Sequence, residues 1–265
     1  MLEEKLESLK EILKSLGNVL IAYSGGVDST FLAKVAFDVL GKNTLAVTIS
    51  SEIHPRWESE EAEELAREIG IRHENVVADA LSIPGISDNP PNRCYYCKSD
   101  ILSKLKEIAR ERGLEHVIEG TNFDDLSDHR PGMRAVAEQG VRSPLKEAKL
   151  TKADIRALSK RLGLPTWNKP SLACLASRFP YGIRITSENL TAVDEAETFL
   201  RELGFHQLRV RHHDDIARIE VTEDDMEKLF QNREQIVERL KKLGYRYVTV
   251  DLQGYRTGSM NEVLA

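Results

Sequence analysis

Cysteine is scarce in this sequence. Only three of its 265 residues are cysteines, Cys94 and Cys97 in NRCYYCK and Cys174 in SLACLASR. A long apolar run is missing as well: no stretch approaches membrane-spanning length, and the opening MLEEKLESLKEILKSLG is charged throughout where a signal peptide has an apolar core. Both absences point to a cytoplasmic protein without membrane contact. In that reducing compartment a pair of cysteines is more often catalytic or metal-binding than a structural disulfide. Nor is there a basic excess. Lysine and arginine number 37 against 43 aspartates and glutamates, a formal net charge of -6, so the footprint of a general nucleic-acid binder is lacking and such a partner is disfavoured. Internal repeats and low-complexity tracts are absent too. What remains, 41% hydrophobic and 30% charged residues, is the composition of a soluble globular chain long enough to bury a real core.

The patterning divides in two. Leu2, Leu6, Leu9, Ile12, Leu13 and Leu16 recur at helical spacing, and Gly17 follows where a helix would stop. NVLIAYS then reads as a strand, FLAKVAFDVLG as a helix and TLAVTIS as a strand apolar on both faces, which suits a parallel sheet covered by helices. SEEAEELAREIG (helix), HENVVAD (strand), CKSDILSKLKEIARERG (helix) and HVIEG (strand) continue the alternation and predict a doubly wound α/β domain. After the helix TKADIRALSKRLG comes a loop punctuated by Pro165, Pro170 and Pro180. Beyond it, SENLTAVDEAETFLRELG and TEDDMEKLFQNREQIVERLKKLG read as helices, with QLRVRHH, IARIEV and YRYVTVDL as strands. The expected organisation is residues 1–180 as the α/β domain and 181–265 as a smaller α+β domain for substrate binding and oligomerisation.

SGGVDST ends the first strand and opens the first long helix, the place where ligands bind in an open parallel sheet. Gly25 and Gly26 let the backbone approach an anion, Ser24 and Ser29 offer hydroxyls, and the helix start at Val27 adds free N–H groups and partial positive charge. The Gly-Lys-Ser/Thr of a Walker A loop is missing, so β,γ-phosphate transfer fits poorly. Asp28 inside a phosphate cradle calls for a cation, which points to Mg²⁺ bridging carboxylate and phosphates. GTNFDD follows another strand, so Gly120, Thr121, Asn122 and Asp125 are expected on the same sheet edge as nucleotide or metal contacts. Asp124 and Asp128 read as a solvated loop with an Asx turn.

SGGVDS resembles the PP-loop of the N-type ATP pyrophosphatases, and EGTNFDDLSDHRPG, residues 142–186 and the second domain together resemble the LarE family almost end to end. The resemblance implies an adenine nucleotide alpha hydrolase-like fold and an enzyme that uses ATP and Mg²⁺ to adenylate a carboxylate of pyridinium-3,5-biscarboxylate mononucleotide. Conversion to a thiocarboxylate follows, a step towards the nickel-pincer nucleotide cofactor of lactate racemase. In single-cysteine members the residue equivalent to Cys174 attacks the acyl-adenylate, surrenders its sulfur and becomes dehydroalanine. Arg178 close by would favour thiolate, the nucleophile, so Cys174, Asp28 and Arg178 are the expected catalytic residues.

Cys94 and Cys97 depart from that single-cysteine pattern. At i, i+3 on a helix N-terminus, both sulfurs share a face and the dipole favours thiolate. With Cys174 they make three thiolate ligands. A zinc site needs a fourth, and none of the seven histidines has an evident motif spacing to them. A 4Fe-4S cluster normally takes four cysteines, so three leave one iron open for exogenous sulfide, as the resemblance to three-cysteine relatives implies. A Cys94/Cys97 persulfide or disulfide relay with Cys174 stays open as an alternative. So do zinc and a structural role.

Arg209 and Arg211 alternate with Val210 on a strand and share one face, which suits the substrate phosphate. Arg178, Tyr181 and Arg184 are further candidate contacts, and Glu197 and Glu220 candidate ligands of a second metal. The remaining expected partners are a sulfide or persulfide donor and further copies of the chain in a homo-oligomer. Two rival functions remain: a tRNA thiolase of the same superfamily, and a nucleotide-responsive or iron–sulfur carrier without turnover.

Overall fold

The computed structural model of the chain describes residues 2–127, 131–170, 173–256 and 258–264. Asp128, read above as a solvated loop residue, lies outside them. The chain forms two compact units: residues 1–51, 56–83 and 92–172 make the first, and residues 52–55, 84–91 and 173–265 the second. The second unit thus takes two short excursions from the first half of the sequence and includes Cys174 and Arg178. Among the described residues no helix is long and apolar enough to cross a membrane.

In the first unit, α1 (Leu2–Leu16), β1 (Val19–Ala22), α2 (Val27–Leu40), β2 (Thr44–Ser50), α3 (Arg56–Ile69), β3 (His73–Val77), α4 (Arg93–Glu111) and β4 (His116–Ile118) alternate. The helices α5 (Pro131–Glu138), α6 (Pro144–Glu147) and α7 (Lys152–Arg161) follow. The four strands form a parallel sheet in the order β3-β2-β1-β4. Because successive strand residues point to opposite faces, β1 feeds two cores. Val19 and Ile21 pack with Leu6, Leu9 and Leu13 of α1 and Phe31 and Leu32 of α2. Leu20 packs with Leu45 and Val47 of β2 and Leu102 and Leu105 of α4. Burial on both faces explains the unbroken apolar runs, each buried leucine contributing roughly 1.5–3 kcal/mol.

The second unit holds α8 (Ser187–Glu202), β5 (Leu208–His213), β6 (Ile216–Val221), α9 (Met226–Gln231), α10 (Arg233–Lys242) and β7 (Tyr247–Val250). β5 and β6 pair antiparallel, β6 and β7 parallel, and Leu200, Phe205, Val210, Ile219, Ile236 and Leu240 fill the core. The single long helix expected from TEDDMEKLFQNREQIVERLKKLG is broken at Asn232. The Asn232 side-chain amide donates to the Lys228 carbonyl at 2.8 Å, a local bond that competes with the helix ladder, and its backbone leaves the helical region at φ -96, ψ 8.

Candidate active site

The Ser24–Ser29 loop is shaped by two close approaches. Gly25 has φ +65, and a Cβ there would stand 3.0 Å from the Cβ of Ala62 on α3, so both conformation and space require glycine. Gly120, just beyond β4, would place a Cβ 3.1 Å from the Ser29 nitrogen, which lets the Gly120–Asp125 loop lie directly on the first turn of α2. The cap of α2 is Gly26, with no side-chain hydrogen bond, and the Thr30 amide is bonded to the Gly26 carbonyl. The amides of Val27, Asp28 and Ser29 have no intrahelical acceptor. The hydroxyls of Ser24 and Ser29 lie 3.1 Å apart, and the Ser29 hydroxyl accepts from the Ser24 amide at 3.3 Å, closing the loop on itself.

Asp28 sits at the centre of this arrangement. Its Oδ2 accepts from Lys152 Nζ at 2.6 Å, whereas Oδ1 is buried and makes no hydrogen bond. Burial pushes the Asp28 carboxyl above the usual aspartate range, with Lys152 and, more weakly, the nearby Asn122 side chain opposing the shift and the charge of Asp125 adding to it; the Asn122 contact falls short of hydrogen-bond geometry at Oδ1. Asp125 accepts from the Asn122 amide at 3.0 Å. Asp124 does more than face solvent: its amide donates to Asn122 Oδ1, and its carboxylate accepts from the Lys152 amide at 2.8 Å. That bond and the Thr151–Asp154 capping box fix the start of α7, and with it Lys152.

Thr121 is engaged one layer further in. Its amide and hydroxyl donate to the buried Glu119 carboxylate, which also accepts from Ser143 at 2.5 Å and from Lys98 at 3.3 Å. Burial raises the Glu119 pKa, but the Lys98 charge and the Ser143 and Thr121 hydrogen bonds outweigh it and hold the carboxyl below the ordinary glutamate range. Lys152 and Glu119 were not read from the sequence. The capping box T-K-A-D marks where α7 begins, but only the fold brings Lys152 to Asp28, 124 positions away.

None of the three cysteines is in a disulfide. Cys94 and Cys97 occupy the first turn of α4 in the first unit, Cys94 exposed and Cys97 half-buried. Between them Tyr95 donates to Glu138 at 2.6 Å, while the Arg134 guanidinium lies 3.8 Å from its ring centroid, which seats that turn on α5. Cys174 belongs to the second unit, at the head of the 3₁₀ turn Leu175–Arg178. Each unit by itself supplies at most two of the three thiols. Among the described residues, no group of three or more histidine, cysteine, aspartate or glutamate side chains is arranged to hold a metal ion.

In the second unit, Arg178 is buried and clamps the cysteine loop. Its Nε and Nη2 donate to the Glu197 carboxylate at 2.9 and 2.8 Å, and Nη1 donates to the carbonyl of Cys174 at 3.0 Å and to the Ser177 hydroxyl at 2.9 Å. Arg211 donates to the Ser177 carbonyl and to Glu220, at 2.9 and 2.7 Å. Arg209 lies over the Tyr255 ring at 5.1 Å, and burial, reinforced by the Arg178 charge, lowers its pKa. Glu197, which also accepts from the Val210 amide at 2.9 Å, and Glu220 therefore have arginine partners. Glu197 stays below the usual glutamate range because Arg178 and Arg209 outweigh the cost of burial. Three buried guanidiniums, Arg178, Arg209 and Arg211, stand against two buried carboxylates, Glu197 and Glu220. Tyr181 is half-buried and Arg184 exposed.

Comparison with known proteins adds relatives. The NAD synthase family model matches residues 1–86. A pyridinium-3,5-bisthiocarboxylic acid mononucleotide synthase of Lactiplantibacillus plantarum is 43% identical over 99% of this chain and 96% of its own length. An uncharacterised protein of Synechocystis is 47% identical over 100% of this chain and 99% of its own. A glutamine-hydrolysing GMP synthase of Aeropyrum pernix is 30% identical over 76% of this chain but only 42% of its own length.

Proposed function

This chain belongs to the LarE family of sulfur transferases, and from that premise we propose that it adenylates a carboxylate of pyridinium-3,5-biscarboxylate mononucleotide with ATP and converts it to a thiocarboxylate on the way to the nickel-pincer nucleotide cofactor. The observation that carries the ATP half is the uncapped first turn of α2 beside Asp28, whose Oδ1 is buried without a hydrogen bond. A buried carboxylate oxygen without a partner is costly unless a cation meets it. Asp28 Oδ1 would hold Mg²⁺, which when bound neutralises phosphate charge. The amides of Val27, Asp28 and Ser29 receive phosphate oxygens, and Lys152 supplies a second positive charge. A substrate carboxylate oxygen then attacks the α-phosphorus, and the bond to the bridging oxygen breaks as pyrophosphate leaves with its electron pair. Sulfur attacks the acyl carbon next, and the carbon–oxygen bond to AMP breaks.

For the sulfur half the support is the sequence, three cysteines without a fourth, and not a metal-holding group among the described residues; on it we propose a 4Fe-4S cluster. Cys94, Cys97 and Cys174 would hold it, and when bound it supplies one iron with an open position for sulfide from an external donor. Arg178 keeps the backbone around Cys174 in one place. In this reading the second unit is the substrate and oligomerisation domain, and Arg209 and Arg211, on one face of β5, receive the 5′-phosphate of the mononucleotide. The test is pyrophosphate release by anaerobically prepared protein with ATP, with and without the biscarboxylate mononucleotide. Release that depends on bulk tRNA instead identifies the tRNA thiolase reading. Absence of release with either substrate identifies a carrier.

The phosphate assignment carries its own prediction. Because the phosphate does not react, contacts to it are the same in ground and transition states, so their loss raises KM more than it lowers kcat. Arg211→Ala also strips Glu220 of a partner at 2.7 Å, and Arg209→Ala removes a positive charge that acts on Glu197. Either is expected to raise KM for the mononucleotide roughly ten- to a hundredfold, as for the loss of a charge-assisted hydrogen bond. ATP affinity should not move. Steady-state kinetics with each substrate varied in turn checks this. Loss of ATP binding with mononucleotide affinity retained would reverse the assignment of the two sites.

A further inference from the structure

Two adjacent glycines leave the phosphate cradle with a conformational ambiguity. The carbonyl of Gly25 and the N–H of Gly26 belong to one planar peptide and point in opposite directions. Rotation of that peptide changes only the dihedrals that flank it, and glycine on each side removes the steric barrier. In one orientation Gly25 turns its carbonyl oxygen away from the helix start. In the other that oxygen, the negative end of the peptide dipole, replaces an N–H where an anion binds.

Lys169 stands at this peptide. Its Nζ donates to the Gly25 carbonyl at 3.0 Å and pairs with Glu61 of α3 at 2.8 Å, and its side chain is only 12% exposed. Both ends of the contact are anchored. Arg156 of α7 donates to the carbonyls of Trp167 and Lys169, each at 2.8 Å, fixing the backbone that carries the lysine. Ala62, next to Glu61, is the side chain against which Gly25 packs. Neither the nucleotide contacts nor the sulfur chemistry proposed above uses this lysine.

We propose that Lys169 is a positioning residue that locks the Gly25–Gly26 peptide with its carbonyl oxygen turned away from the phosphate, its N–H donating to the Ser24 hydroxyl at 3.4 Å, with Glu61 holding the ammonium in place. The lock acts through the loop backbone without a contact to the nucleotide, and it rests on the reading of Ser24–Ser29 as a phosphate cradle. It predicts a loss confined to ligands that carry phosphate.

The experiment uses the full chain with three probes, Mg-ATP, inorganic pyrophosphate and adenosine, titrated calorimetrically against wild type, Lys169→Met, Lys169→Arg and Glu61→Gln. Lys169→Met is expected to weaken Mg-ATP and pyrophosphate by roughly tenfold or more, the range for a charge-assisted hydrogen bond. Adenosine affinity should be unchanged. Lys169→Arg, which restores donor and charge, recovers most of the loss, and Glu61→Gln produces a smaller loss in the same direction and covers the case in which the methionine variant does not fold. Equal pyrophosphate affinity in wild type, Lys169→Met and Glu61→Gln overturns the lock. A parallel loss of adenosine affinity also overturns it, by showing general damage to the site. Wild type that binds neither Mg-ATP nor pyrophosphate overturns the cradle itself, a failure distinct from that of the lock.

Discussion

Replacing Asp28 with alanine is expected to abolish Mg-ATP-dependent pyrophosphate release, by at least about three orders of magnitude. The carboxylate has two engaged or engageable oxygens. Oδ2 accepts from Lys152 at 2.6 Å, and Oδ1 is buried with no hydrogen bond. Alanine removes the anchor for the metal and also frees Lys152, so the phosphates lose an ordered neutralising charge. Metal-assisted charge stabilisation is worth several kcal/mol, and each 1.36 kcal/mol is tenfold in rate. Ser24→Ala is the control. It removes a hydroxyl from the Ser24–Ser29 contact but leaves the backbone amides, and should cost far less. The same carboxylate sets a pH limb. Its pKa is raised by burial, so without metal the protonated, inactive form persists to a higher pH than for an ordinary aspartate. Lys152→Met removes the opposing charge and should move the acid limb of pyrophosphate release further upward, a shift that a pH–rate profile of kcat/KM reads directly. Wild-type turnover in Asp28→Ala would remove this loop from the catalytic ATP site.

How much of this was legible in the sequence depends on whether a feature is local. β1 and β2 are apolar on both faces, and Gly25 and Gly26 stand between a strand and a helix, so the parallel sheet and the tight loop proposed as a phosphate cradle follow from spacing alone. The break at Asn232 was not legible, because NRE continues a helical pattern until one side chain bonds back to Lys228. The cations of the site were hidden for a different reason. Lys152 and Lys169 lie 124 and 144 positions from their partners in the loop, and neither sits in a motif that names its partner. Glu119 was hidden too, as the final residue of HVIE, where burial turns an ordinary carboxylate into the hub for Thr121, Ser143 and Lys98. For Arg178 the sequence suggested a charge near the Cys174 sulfur. The structure instead shows the guanidinium holding the Cys174 carbonyl and Glu197, so its grip is on the backbone that presents the thiol.

The cysteines carry the second large effect. If sulfur is delivered from an iron held by Cys94, Cys97 and Cys174, alanine at any one of them should cut bound iron and acid-labile sulfide and end multiple turnover. The geometry of α4 makes Cys94 and Cys97 a fixed pair, since Tyr95 between them is held by Glu138 and Arg134. Losing one cannot be made good by the other, because each occupies its own position one helical turn apart. The competing mechanism makes the opposite demand. A sacrificial Cys174 needs neither partner, so the double variant Cys94→Ala, Cys97→Ala should retain a single turnover, and Cys174 should afterwards lack the mass of hydrogen sulfide. Intact mass spectrometry of protein recovered after reaction, paired with an anaerobic visible spectrum taken before it, separates the two. The expected result is a brown protein whose three cysteines keep their mass through many turnovers, with turnover lost in each single variant. Dehydroalanine at position 174 in the wild-type chain would overturn the carrier mechanism and make Cys94 and Cys97 accessory to a thiol that is consumed.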